Sequence, residues 1–146
     1  MLEIEKRHDA LSQPAFESLM NDPADFIHCA REGISGTYLR RTVDAFAGHP
    51  EVRALIVALL ETTPGNLHRF YRRKSLSRAD SEGVLDTMAL IAYAQKVFGS
   101  REMALDWLQT SVPALAGEKP LYLCDTFRGR QLVRDALSSI EFGEFS

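Results

Sequence analysis

Apolar residues recur along most of this chain at intervals of three and four, the spacing of one helix face, and no alternating stretch is long enough to predict a strand. Asp22-Pro23 opens a first helix, with aspartate as cap and proline at the first helical position. This helix should carry Phe26, Ile27 and Ala30 inward and stop at Gly33. A second helix is predicted over residues 36–47, with Leu39, Val43 and Phe46 at i, i+4 and i+7. Beyond Gly48-His49-Pro50, the residues Val52, Leu55, Ile56, Leu59 and Leu60 form the stripe of a third. Thr63 as cap and Pro64 behind it begin a fourth, predicted to reach about Lys74. Ser77 and Asp80 have capping-box spacing, with Ser81 as the alternative cap, and open a long helix to Phe98. Val84, Leu85, Met88, Ile91, Ala92, Tyr93 and Val97 make it apolar around most of its circumference, the character of a buried spine. Gly99 ends it, and Ser100 caps a helix that holds Ala104, Trp107 and Leu108, with Trp107 read as core. After a loop bounded by Pro113 and Gly117 and a turn at Pro120, a last helix over residues 129–140 carries Leu132, Val133, Ala136, Leu137 and Ile140. The predicted fold class is all-α.

Composition narrows the class further. The chain has 146 residues, 45% hydrophobic and 25% charged, values of an ordinary globular protein with one domain or two small ones. No apolar run approaches the roughly 18 residues of a membrane span, and the first 13 residues lack an apolar signal core, so a cytoplasmic location is expected. Cys29 and Cys124 are unclustered, which fits free buried thiols in a reducing compartment. His8, His28, His49 and His68 are scattered without ligand spacing. Nucleophile-elbow and glycine-rich phosphate-loop motifs are absent. The carboxylate pairs Asp22/Asp25 and Asp80/Glu82 are explained as first-turn residues that complement helix dipoles. The residues therefore predict no catalytic constellation, no metal site, no cofactor and no enzyme activity.

Charge is unevenly spread: residues 1–30 carry a net −4, residues 31–78 a net +5 and residues 79–146 a net −4. The fourth helix sharpens this. At about 100° per residue, Leu67, Phe70 and Tyr71 share one side, while Arg69, Arg72 and Arg73 fall opposite, flanked by Asn66 and His68. Lys74 and Arg78 follow, and residues 62–79 contain no acidic side chain. A short amphipathic helix with an arginine face, set after another helix and a short turn, describes a helix-turn-helix. Arginine bonds a guanine edge or a phosphate bidentately and asparagine can bond adenine. Asn66, His68, Arg69, Arg72, Arg73, Lys74 and Arg78 are thus the candidate DNA contacts. The alternative is a solvated basic face that binds nothing.

The C-terminal third carries an ordered set of motifs: Val97-Phe98-Gly99-Ser100, Ala104 through Trp107-Leu108, Val112-Pro113-Ala114-Leu115, Gly117 to Pro120-Leu121, Gly129 to Val133, and Ile140-Glu141-Phe142-Gly143. This order resembles the toxin-binding domain of the Xre/MbcA/ParS family of bacterial antitoxins. The resemblance covers residues 97–146 closely and residues 33–96 more loosely, as an Xre-like helix-turn-helix; Cys124-Asp125 and Phe127 depart from the family's usual loop. It implies a type II toxin–antitoxin pair whose partner is a RES-domain toxin that degrades NAD or transfers ADP-ribose from it. The antitoxin would cover the toxin's active-site opening, repress its own operon by binding operator DNA, and form a homodimer within a larger complex. The corresponding domains are an N-terminal extension (1–21), a helix-turn-helix (22–80) and a helical toxin-binding and dimerisation domain (81–146). Ile140, Glu141, Phe142, Gly143, Glu144, Phe145 and Ser146 combine aromatic anchors with negative charge, which suits a basic NAD-phosphate pocket. Should this tail fail, the loop at residues 113–120 or the outer face of the last helix around Arg130 and Arg134 would serve. The alternative function is a stand-alone helix-turn-helix transcriptional regulator with a C-terminal dimerisation domain.

Overall fold

The computed structural model describes residues 21–143, so nearly all of the predicted N-terminal extension (1–21) lies outside the described residues. The described residues form eight helices and no strand: α1 (Pro23–Glu32), α2 (Gly36–Ala45), α3 (Pro50–Leu59), α4 (Leu67–Tyr71), α5 (Arg78–Phe98), α6 (Arg101–Leu108), α7 (Pro120–Leu123) and α8 (Phe127–Glu141). Short 3-10 turns at Pro64–Asn66 and Pro113–Leu115 precede α4 and α7. The chain divides into two compact units between Leu85 and Asp86, a point inside α5.

Local chemistry sets most helix starts. Asp22 caps α1 by accepting the Ala24 N–H (3.0 Å) and the Asp25 N–H (3.4 Å). Ser35 accepts from the Tyr38 N–H, Ser77 from Asp80, Ser100 from Met103 and Thr126 from Gly129. Thr63 makes no side-chain cap; its carbonyl accepts the Asn66 N–H (3.0 Å) in the 3-10 turn instead.

In the first unit, Ile34, Leu39, Val52, Ile56, Leu67 and Val84 are sealed from solvent. Ile27 is 48% exposed, contrary to expectation, because α1 turns Cys29 and Ala30 inward. The fourth helix stops at Tyr71, not Lys74, and the reason lies elsewhere in the chain. Residues 73–76 run beside residues 34–36, where the Gly36 N–H donates to the Arg73 carbonyl (2.9 Å) and the Leu76 N–H to the Ile34 carbonyl (2.8 Å). The approach is so close that a Cβ on Gly33 would overlap the Leu76 oxygen, and one on Gly36 the Phe70 and Tyr71 oxygens. Ser81 is not a cap: it is buried, and its hydroxyl accepts the Ile34 N–H at 2.9 Å.

In the second unit, Leu90, Ala104, Leu108, Val133 and Leu137 lie at the centre of the core. Trp107 is only half-buried, stacked on Phe98 at 5.5 Å between ring centroids, and so sits at the margin of this core. Leu132 is exposed, and Arg130 takes a place on the inward face of α8. The first turn of α8 crosses the end of α7 so closely that any side chain at Gly129 would overlap the Leu123 carbonyl.

Candidate functional site

α4 holds its position through Leu67 and Phe70, both buried, and presents His68, Arg69 and Arg72 to solvent. Asn66 is half-buried in the 3-10 turn. Arg73 stacks its guanidinium over the Phe70 ring (4.1 Å), a cation–π contact. Lys74 lies in the bend after the helix and Arg78 opens α5, both exposed, so the candidate DNA contacts do not share one surface of α4. His68, Tyr71 and Arg72 line an open cleft of about 680 Å³ with Arg40, Val43, Asp44, Phe46, Ala47, Pro50 and Arg53, whereas Arg69 lies outside it. The sequence reading missed Arg40 and Arg53; the only trace of them was the +5 balance of residues 31–78. Burial raises the Tyr71 hydroxyl above its ordinary value, Arg53 opposing and Asp44 adding to the effect, so the hydroxyl stays a hydrogen-bond donor.

The other candidate surface closes the second unit. α8 ends at Glu141; the Phe142 N–H reaches back to the Ser138 carbonyl (3.0 Å), and Gly143 follows with φ +67°. Phe142 is 69% exposed and does not fold back onto the core, whereas Ile140, 37% exposed, is mostly covered at the end of the apolar stripe of α8. Glu141 accepts a hydrogen bond from the Tyr93 hydroxyl (3.3 Å). Glu144, Phe145 and Ser146 lie outside the described residues.

The fallback surface around Arg130 and Arg134 is not an outer face. Arg130 is 6% exposed and donates from Nε to Asp86 Oδ2 (2.6 Å) and from Nη1 to the Cys124 carbonyl (2.9 Å). Arg134 donates from Nη2 to Asp86 Oδ1 (2.5 Å) and to the Asp86 carbonyl (3.1 Å). Both guanidiniums are committed inside the unit. Cys29 and Cys124 are buried and form no disulfide, and burial pushes the Cys124 thiol up to about 12, so it is no nucleophile at neutral pH. Among the described residues no group of three or more His, Cys, Asp or Glu could hold a metal ion, and no helix is long and apolar enough to cross a membrane.

The second unit is thus a small helical domain with large apolar side chains exposed at Met103, Tyr122, Phe127 and Leu132 as well as at Phe142. Residues 94–143 match the model of the antitoxin Xre/MbcA/ParS C-terminal toxin-binding domain. Over 133 residues, covering 85% of this chain and 82% of the relative, the chain is 29% identical to a protein of Sphingobium sp. (strain YBL2) named Prs ADP-ribosylating antitoxin. Both similarities are thus to antitoxins, the second unit resembling the family's toxin-binding domain and most of the chain resembling one relative.

Proposed function

We propose that this protein is an antitoxin that neutralises a RES-domain toxin in the cytoplasm by covering its active-site opening with the end of α8, and that its first unit binds operator DNA to repress its own operon. The observation that carries the first part is the exposed Phe142, beside the partly exposed Ile140, at the end of the matched domain. Exposed apolar anchors beside carboxylates complement a pocket shaped for the phosphates and rings of NAD. The relative's name joins an antitoxin to ADP-ribosylation, which supports a toxin that uses NAD. The DNA-binding part is supported by α3, a seven-residue connection (60–66) and the five-residue α4 in helix-turn-helix order, with His68, Arg69 and Arg72 exposed. The antitoxin acts as a homodimer within the toxin complex and carries out no catalysis of its own.

Co-expression tests this reading. Antitoxin lacking residues 142–146 should remain folded yet fail to protect cells from the toxin encoded beside it, and should not retain that toxin in a pull-down. Full protection by the truncated protein would place the interface elsewhere, and the absence of a RES-domain reading frame beside the gene would favour the stand-alone regulator.

A further inference from the structure

We propose that the cleft between α2, α3 and α4 seats one sugar-phosphate backbone of duplex DNA, with Arg40 and Arg53 binding phosphates beside Arg72. The inference rests on the DNA-binding reading and adds to it two residues, from two further helices, that the sequence did not single out. Three arginines and His68 converge on this one cleft from α2, α3 and α4. Arg40 is held only loosely: its ion pair with Asp44 spans 3.9 Å, and both side chains are 69% exposed. Such a pair contributes little to stability, so the guanidinium can exchange Asp44 for a phosphate at small cost.

The shape of the cleft decides which anion it takes. A small-molecule site encloses most of its ligand, and this cleft lies open to solvent. A nucleic-acid backbone needs only spaced cations and donors along an open track, and phosphate binding of this kind fixes register without reading bases. Tyr71, protonated at neutral pH, supplies a neutral donor in the same cleft. Asp44 is the opposing group: its carboxylate repels a phosphate and tempers the affinity.

The test uses the full chain, alone and with its co-expressed toxin, on two probes: a duplex from upstream of its own gene and an unrelated duplex of equal length. Binding is followed by fluorescence anisotropy across a salt titration. In an Arg40→Gln/Arg53→Gln double variant the slope of log K against log salt should shrink by about 1.8, because each phosphate that is no longer neutralised removes about 0.9. Affinity should fall by the same factor on both duplexes, leaving their ratio unchanged. Asp44→Asn should tighten binding to both. A double variant with the wild-type slope, alongside normal wild-type binding, would overturn the cleft and leave DNA binding standing. Wild-type protein that binds neither duplex at any salt would overturn the DNA-binding reading and the cleft with it.

Discussion

Asp86 puts one carboxylate between Arg130 and Arg134, and the Arg130 side chain is only 7% exposed. Such a group is costly to leave alone, because removing one partner strands a buried charge. Asp86→Ala should therefore destabilise the protein by about 3–5 kcal/mol in urea unfolding, whereas replacing all three charged groups by apolar residues of similar volume should cost far less. A second residue effect is set by pH. Burial raises the Cys124 thiol from 9.0 to about 12, so the folded protein holds this proton to higher pH than the unfolded chain does. That contribution is complete below about pH 9 and is lost as the pH climbs towards 12, by up to about 1.4 kcal/mol per pH unit. Unfolding midpoints across this alkaline range should fall in the wild type and stay flatter in Cys124→Ala. A parallel fall in both would assign the effect to another group.

At the level of the element, boundaries set by neighbouring residues were legible, as at Asp22, Gly33 and Gly99, and boundaries set from afar were not. Asp22, Ser77 and Ser100 announce themselves because a cap acts within three residues of its own position. The end of α4 is set by Gly36 and Ile34, far back in the chain, and no local pattern carries that information. Arg130 was misplaced for a similar reason: periodicity assigns a charge to the surface, and its partner Asp86 lies 44 residues away. Of the candidate sites, the exposed end of α8 followed from sequence order, whereas the cleft needed three helices assembled before Arg40 and Arg53 could meet. Gly36→Ala, which forces a methyl group into the carbonyls that end α4, should cost roughly 1–3 kcal/mol. A thermal melt with no measurable shift would show that the approach relaxes freely. Charge reversal at Arg69, Arg72 and Arg73 together should abolish binding to the promoter fragment while the melting curve moves little. Retention of wild-type affinity across a salt titration would remove α4 from the interface.

For the molecule as a whole, the two proposed surfaces belong to different units. The basic residues are concentrated at residues 31–78, in the first unit, and the exposed Phe142 follows the last helix of the second. The two activities should therefore separate by mutation. The arginine-reversal variant should still rescue cells from the toxin but leave a promoter reporter unrepressed, and deletion of residues 142–146 should do the opposite, shifting the melting temperature by no more than about a few degrees. Loss of both activities in either variant would show that the two surfaces work as one. The main-chain bonds between residues 34–36 and 73–76 have a consequence on a longer timescale. They fix α4 through peptide groups and two glycines, so the exposed side chains at 68, 69 and 72 have little part in keeping the chain folded. A lineage can exchange these three one at a time and remain folded at every step. On the proposed DNA-binding reading, duplicated copies in one genome can then drift to ignore each other's promoters while the same two glycines keep both copies in shape.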